Sequence, residues 1–275
     1  MKKKNVTLYK HIIVLILVSF SLVSCEDVIQ ADLDTGEAKL VVDAEILWQK
    51  GTDGAVQTIK ISRMAAYYNP QTPKVTGAVV YISNSAGTQF AFEETAPGIY
   101  TCTSFVPVLN ENYTLHVAAD GQEYTANETL MPVAEIDHTE QSENGGFSGD
   151  EPEVAIYFND PAGQANYYLT SFITHTLPYP DYYLSDDELT DGNAIRADYS
   201  HDDLVAGDAL QITVRGISHQ FYNYMNLILS AADSDPFSTP PANIKGNILN
   251  IEGNGTPALG YFRLSETDYI EYIMQ

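Results

Sequence analysis

Apolar and polar residues alternate in short runs along most of the chain after residue 38, and turn residues separate the runs. Residues 56–61 and 112–117 alternate with a period of two, which is typical of strands with one buried face. Ala-Pro-Gly at 96–98 and Ala-Asp-Gly at 119–121 lie where tight turns are expected. About seven short strands in about 100 residues predict an immunoglobulin-like β-sandwich over residues 25–138.

A motif in this part of the chain also resembles a known module. Gly-x-Tyr at 98–100, followed by Asn-Tyr-Thr-Leu-x-Val at 112–117, resembles transthyretin-like modules, which implies a transthyretin-like sandwich.

The alternation stops between residues 139 and 152, where Ser, Glu, Asn and Gly dominate and Phe147 is the one large apolar residue. A buried loop of this composition would leave backbone polar groups unpaired. We therefore expect residues 139–152 to form an exposed linker.

Strand patterns return at residues 153–158 and 166–173, and predict a second β-rich domain over residues 153–275. Ser218 is a candidate N-cap for a helix near residues 219–232. One face of that helix would carry Phe221, Met225, Ile228 and Ala232. The predicted fold is therefore mostly β, with a sandwich followed by a second β-rich domain that contains one clear helix.

The first 24 residues differ from the rest of the chain. Four lysines, at positions 2, 3, 4 and 10, precede a run of about a dozen apolar residues, which is the layout of a secretory signal peptide. A transmembrane anchor is the alternative, but spanning a bilayer needs about 20 apolar residues. Ser24 and Cys25 end the run before that length.

The sequence Leu-Val-Ser-Cys at 22–25 resembles a bacterial lipobox. This resemblance implies that residues 1–24 are removed and that Cys25 carries acyl chains, several of which anchor a protein stably in a membrane. Glu26 and Asp27 follow, and acidic residues at this place resemble the surface-export signals of Bacteroidota lipoproteins. We therefore expect a lipid-anchored outer-membrane protein that is exposed at the cell surface rather than facing the periplasm.

The composition is strongly acidic, with 13 Lys and Arg against 37 Asp and Glu and a net charge of -24. Such a surface repels phosphate, which argues against nucleic-acid binding and against electrostatic adhesion to anionic lipid. Two cysteines exclude a disulfide framework and a cysteine-based metal site. Cys102 lies in an alternating stretch without basic neighbours, so we interpret it as a structural residue.

Motifs for catalysis are weak. Asp-Thr-Gly at 34–36 matches the triplet of aspartic proteases, but that chemistry needs two facing aspartates and this chain has one copy. Asp and Gly in a turn explain these residues. His175, His201 and His219 do not have the spacing of a metal site. The sequence therefore predicts a protein that is not an enzyme and has no cofactor.

The region from Asp181 to Asp208 holds nine acidic residues against Arg196 alone. Oxygen-rich loops of this kind suit calcium, although a solvated acidic loop is the simpler interpretation. Tyr179, Tyr182 and Tyr183 lie in a Pro-bounded segment at the start of this region. Tyrosine supplies rigid contact area in binding sites. The alternative is that these rings cover the rim of the sandwich. The predicted contact loop comprises Tyr179, Tyr182, Tyr183, Asp186, Asp187 and Glu188.

Four segments carry a family resemblance. They are DTGEAKLVVDA at 34–44, NDP at 159–161, DPFSTPPANI at 235–244 and LGYF at 259–262. With the lipobox, they resemble the domain of unknown function 4249 family, lipoproteins of Bacteroidota that are often encoded near TonB-dependent outer-membrane transporters. The resemblance implies a non-enzymatic accessory or ligand-binding partner of such a transporter. A cell-envelope adhesion or scaffold protein without a small ligand is the alternative.

Overall fold

Fifteen β-strands and one α-helix make up the regular structure of residues 38–65, 71–232, 244–252 and 255–275, which the computed structural model describes. The first seven strands are β1 (Leu40–Gln49), β2 (Gln57–Arg63), β3 (Val79–Asn84), β4 (Gln89–Ala96), β5 (Ile99–Cys102), β6 (Asn112–Ala119) and β7 (Gln122–Thr129). The later elements are β8 (Ile136–Gly145), β9 (Glu151–Asn159), β10 (Tyr167–Ile173), β11 (Asp181–Asp186), β12 (Ala194–Ser200), β13 (Ala209–Ile217), α1 (His219–Ala232), β14 (Leu249–Asn250) and β15 (Leu259–Ile273).

The predicted mostly-β fold with one helix is confirmed. The helix α1 has the bounds that the apolar spacing predicts. Ser218 is its N-cap, because the Ser218 hydroxyl accepts a hydrogen bond of 3.1 Å from the backbone N–H of Phe221.

Twelve of these strands are hydrogen-bonded in one continuous order, β11-β10-β13-β15-β1-β2-β5-β4-β3-β6-β7-β14. Strand β4 pairs with β3 through residues 89–92 and with β5 through residues 93–96, with a register shift near Ala96. Strand β4 therefore joins the two layers of the β-sandwich that was predicted for residues 25–138.

The sandwich core follows directly from the alternation in the sequence. Val42, Ala44 and Ile46 of β1 are fully buried, and so are Ile59 and Ile61 of β2. Every second residue of these strands points into one apolar cluster, as the period of two requires. Cys102 belongs to this cluster and is 1% exposed, which confirms its structural interpretation.

The last strand, β15, belongs to both halves of the chain. Its first part pairs in parallel with β1, from Leu259 opposite Val41 to Thr267 opposite Gln49. Its second part pairs antiparallel with β13, up to Ile273 opposite Ala209. The predicted separation into independent domains at 25–138 and 153–275 is therefore wrong in one respect, because the C-terminal strand completes the N-terminal sandwich.

The expected linker at 139–152 is also wrong. Residues 139–145 form most of β8, which pairs antiparallel with β9 across a turn at 146–150. Most β8 side chains are polar and face solvent, so composition alone suggested a loop. Sheet β12-β9-β8 packs over β10, β13 and β15 around a second apolar cluster that includes Phe158 and Phe172.

Several expectations lie outside the described residues, among them the signal peptide, the acylation of Cys25 and the triplet at 34–36. In the described ranges, no helix has the length and apolar character needed to cross a membrane.

The junction of β15 with β1 gives a test of this fold. Gly260 has φ +95°, and a Cβ atom there would lie 2.1 Å from the carbonyl oxygen of Val42. We expect Gly260→Ala to lower the free energy of unfolding by about 2–4 kcal/mol, since the left-handed conformation and the backbone clash add. Gly207 is the matched control, because it has φ +96° and open space around it. Gly207→Ala should lower stability by about 1–2 kcal/mol only. Equal losses in urea denaturation would contradict the close approach of β15 to β1.

Candidate functional site

The helix α1 covers one face of the large sheet. Its first turn buries Phe221 in a third apolar cluster with Leu169, Ile217 and Tyr261. Phe221 lies 4.9 Å from Tyr261 of the sheet, and Tyr224 lies 4.7 Å from the same ring, measured between ring centroids. The helix is thus attached to the sheet by aromatic contacts, which prefer such tilted geometries.

A cleft of about 250 Å³ lies between α1 and the sheet, and we call it the aromatic cleft. Its lining residues are Asp43, Glu45, Leu169, Tyr182, Phe221, Tyr224, Met225, Ile228, Gly260, Tyr261 and Arg263. The walls are mainly aromatic and aliphatic, and a few charged groups lie among them. This combination is the usual composition of a ligand site.

The strand register explains how the charged groups meet. Asp43 and Glu45 alternate with buried residues of β1, and Tyr261 and Arg263 alternate with buried residues of β15. Parallel pairing sets Asp43 opposite Tyr261 and Glu45 opposite Arg263. All four side chains therefore emerge on the face that α1 covers.

Arg263 is the central cation of the cleft. It donates from Nη1 to Asp43 Oδ1 at 3.0 Å and from Nε to Glu45 Oε1 at 3.2 Å. Its Cζ also lies 5.4 Å from the centroid of Phe221, within cation–π range. Burial opposes the charge, but Glu45 and Asp43 outweigh it and hold the pKa of Arg263 above its ordinary value.

A second guanidinium, that of Arg215, lies behind the first. Arg215 Nη1 donates to Ser171 Oγ at 2.8 Å, and Arg215 Nε lies 3.6 Å from Glu45 Oε1. Burial lowers the pKa of Arg215, and the attraction of Glu45 only partly offsets this effect. Glu45 therefore interacts with two arginines, of which Arg263 lines the cleft and Arg215 lies outside its lining.

A buried carboxylate connects the helix to the sandwich. Glu128 of β7 is 7% exposed and accepts hydrogen bonds from the Ser218 hydroxyl at 2.9 Å and from the Thr129 N–H at 3.0 Å. Tyr261 also interacts with Glu128, which raises the pKa of the tyrosine beyond the effect of burial. Burial raises the pKa of Glu128 because the charged form loses its hydration.

The predicted contact loop is not a loop. Residues 181–186 form the edge strand β11, which pairs with β10 and places Tyr182 opposite Ser171 and Tyr183 opposite Thr170. Prolines before the strand and acids at its ends suggested a loop, although edge strands tolerate such residues. Because neighbouring side chains alternate, Tyr182 lines the aromatic cleft while Tyr183 points to the other side and is 41% exposed.

The other predicted contact residues have separate environments. Tyr179 is 80% exposed. Asp186 accepts a hydrogen bond of 2.8 Å from the Tyr222 hydroxyl, which raises the pKa of Tyr222 to about 12. Asp187 is buried and accepts from a backbone N–H, and Glu188 is exposed. The six residues therefore do not form one surface.

A carboxylate cluster lies beside β11. Single carboxylate oxygens of Asp160, Asp187 and Asp191 lie within 4.8 Å of one another, and within the described ranges this is the one group of three potential metal ligands. Asp160 accepts from the Tyr168 hydroxyl at 2.6 Å and from the Gly192 N–H at 3.1 Å. Asp187 and Asp191 also accept backbone N–H groups. These hydrogen bonds stabilise the carboxylates, and oxygen ligands of this kind also suit calcium.

Sequence reasoning identified Tyr182 but not its partners in the cleft. Asp43 and Tyr261 lie in segments with a family resemblance, 34–44 and 259–262, which looked like packing and turn residues. Their alternation with apolar residues was a signal for an outward face. The sequence did not indicate that these two segments, which are far apart along the chain, pair with each other.

Comparisons with known proteins give a family and weak structural likenesses. A family model described as Domain of unknown function (DUF4249) matches residues 26–270. A search of curated proteins found no match. A two-domain fibronectin type III segment of chicken tenascin is similar at 12% identity, with 58% of this chain and 83% of that chain covered and a TM-score of 0.22. A DUF4785 family protein of Legionella pneumophila is similar at 13% identity, with 67% and 53% covered and a TM-score of 0.26.

The raised pKa of Glu128 predicts a pH dependence. The folded state binds this proton more tightly than the unfolded chain, whose glutamates have the ordinary pKa of 4.5. The stability that Glu128 contributes is therefore complete below pH 4.5 and is lost as the pH rises through the folded-state pKa. Relative to wild type, Glu128→Gln should gain stability as the pH rises from 4 to 7 in urea denaturation.

Glu111 is the control for this experiment. Hydrogen bonds from Ser85 lower the pKa of Glu111, so its contribution to stability is lost as the pH falls. Glu111→Gln should therefore show the opposite trend with pH. Parallel trends in the two variants would contradict the burial effect at Glu128.

The close carboxylates of Asp160, Asp187 and Asp191 predict that removing one negative charge changes the stability of the protein. In Asp191→Asn the amide oxygen still accepts from Gly163 while one of three clustered charges is removed. We expect stability to rise by up to about 1 kcal/mol, since repulsion near a surface is weak. Melting with and without calcium checks this prediction. Calcium-dependent stabilisation of the wild type that Asp191→Asn loses would instead identify the cluster as a cation site.

Proposed function

The chain belongs to the DUF4249 family, and we propose that it is a lipid-anchored outer-membrane protein that accompanies a TonB-dependent transporter and holds a ligand without catalysis. Acylation at Cys25 would provide the anchor. An adhesion or scaffold protein without a small ligand is the alternative. The aromatic cleft is the observation that supports the ligand-binding function, because a concave aromatic site suits ligand capture, whereas adhesion uses flat apolar patches.

The charges of the cleft limit the class of ligand. Arg263 in the cleft wall and Arg215 outside it balance Asp43 and Glu45, so this ion-pair network has no net formal charge. Asp43 keeps 49% of its side chain exposed and offers a hydrogen-bond acceptor at the rim. We infer a neutral ligand that has one apolar face for the aromatic wall and donor groups for Asp43.

The ion pairs also support binding rather than catalysis. The guanidinium of Arg263 donates hydrogen bonds to both carboxylates, so Asp43 and Glu45 are already engaged as acceptors in an ion-pair network. Rigid, paired charges of this kind fix the shape of a site. They orient a ligand instead of transferring protons to it.

Adjacent tyrosines of β11 provide a sharp test. The native protein would be purified from membranes in mild detergent, and the co-purified transporter would be measured for wild type, Tyr182→Ala and Tyr183→Ala. Tyr182 lines the cleft and Tyr183 points away from it on the same strand. We expect Tyr182→Ala to reduce the co-purified transporter about tenfold or more, as loss of an aromatic anchor does. Tyr183→Ala should leave it unchanged.

Both variants must first show melting temperatures within a few degrees of wild type. Equal recovery of transporter from both tyrosine variants would refute a role for the cleft in this association. Absence of any transporter from the wild-type preparation would favour the scaffold function.

A further inference from the structure

One end of the large sheet is closest to the proposed lipid anchor along the chain. The described structure starts at Ala38, directly before β1, and Cys25 lies 13 positions earlier in the sequence. A fully extended chain spans at most about 3.6 Å per residue, so this segment reaches at most about 45 Å. We call the end at which β1 begins the tether end.

Basic residues concentrate at the tether end. Nine Lys and Arg residues follow residue 24, and five of them lie there: Lys39, Lys60, Arg63, Lys74 and Lys245. Strand register places Lys60 opposite Asp43 and Arg63 opposite Leu40. The backbone of Lys74 forms an isolated antiparallel β-bridge with Ser62 of β2. Lys245 precedes Gly246, which lies against the Gly260 carbonyl at the start of β15.

Within the described ranges, most acids next to these cations are already engaged. Asp43 pairs with Arg263, Asp120 pairs with Arg63, and Glu94 accepts the backbone N–H groups of Gly77 and Gly98. Two further exposed acids, at positions 123 and 252, lie in the other layer of the sandwich beside β14.

Three lysines at this end remain available. Lys39, Lys60 and Lys245 are exposed, and no carboxylate pairs with any of them within the part of the chain that the structure describes. Free ammonium groups on one end of an acidic protein indicate a negatively charged partner.

The last two turns of α1 add exposed apolar residues near the same end. The helix contains no Asp, Glu, Lys or Arg, and Leu227 is 46% exposed. Ile228 contacts the cleft beside Asp43 and Gly260, close to the starts of β1 and β15. Ala232 shares the sheet-facing side of the helix with Phe221 but is exposed. The final turn therefore projects beyond the sheet.

We propose that the tether end lies against an anionic lipid bilayer, with the last two turns of α1, which include Leu227, in the interfacial layer and the three free lysines at the headgroups. This inference rests on the acylation of Cys25 proposed above. Lysine ammonium groups near an anionic membrane and apolar helix residues in its interface both favour this contact. The net charge of -24 argued against electrostatic adhesion to anionic lipid for the protein as a whole, but the cations are unevenly distributed.

The opposite end provides the matched control. Phe147 is fully exposed in the turn between β8 and β9, and β8 runs past the C-terminal residue, as the hydrogen bonds of Gln141 with Gln275 show. From Gly260 to Gln275 an extended strand rises about 50 Å. Phe147 is thus an apolar residue of high exposure far from the tether end.

The experiment uses the full-length acylated protein in vesicles of phosphatidylcholine and phosphatidylglycerol at a ratio of four to one. An environment-sensitive fluorophore is attached to Leu227→Cys or to Phe147→Cys; Cys102 is buried, and the wild type measures any background labelling. We expect the label at 227 to shift its emission to the blue and to lose most of its quenching by iodide. The label at 147 should remain quenched as in detergent.

A third protein combines Leu227→Cys with Lys39→Gln, Lys60→Gln and Lys245→Gln. Its label should be quenched at least about threefold more than that of Leu227→Cys, and high salt should have the same effect on Leu227→Cys. Unchanged shielding in this variant would overturn the role assigned to the lysines.

Acylation is measured in parallel with an alkyne fatty acid on wild type and Cys25→Ala. Equal labelling of these two proteins would remove the proposed anchor and, with it, this inference. Normal acylation together with a label at 227 that iodide quenches as strongly as the label at 147 would overturn this inference alone. Failed acylation would also remove the lipid anchor of the proposed function, whereas the comparison of Tyr182→Ala with Tyr183→Ala tests the role of the cleft separately.

Discussion

The parallel pairing of β15 with β1 is the constraint on which the rest of the described structure depends. The first part of β15 contributes Phe262 and Leu264 to the sandwich core, and its end contributes Met274 to the second core. The same strand presents Tyr261 and Arg263 on its outer face. Without β15, the sandwich core, the second core and the aromatic cleft would each lack some of their residues.

The outer face of the β1–β15 pair carries charged side chains, and burying any one of them without an oppositely charged partner would be unfavourable. A guanidinium taken out of water is stable only when a carboxylate is close and well oriented. Register provides this partner, because Glu45 lies directly beside Arg263 and also near Arg215. The ion pairs therefore hold the cleft in one shape, and the link from Glu128 to Ser218 fixes the start of the helix that covers it.

Local patterns predicted the elements well and their partners poorly. The period of two predicted β2 and β6, and the spacing from Phe221 to Ala232 with the N-cap at Ser218 predicted the helix. Strand β8 was missed because its side chains are mostly polar, and β11 was missed because prolines precede it and acids lie at its ends. Only backbone pairing distinguishes these strands from loops. The cleft could not be predicted beyond Tyr182. Its other walls come from β1 and β15, and nothing local in either segment specifies the other.

The pairing of the two ends of the chain also determines when the protein can fold. Val41 pairs with Leu259, more than 200 positions later in the sequence. During synthesis, β1 can pair with β15 only after nearly the whole chain has left the ribosome. Contacts between such distant residues slow folding because the entropy of closing a long loop comes first. A chain of this design keeps β1 open on one side until its last strand has been made.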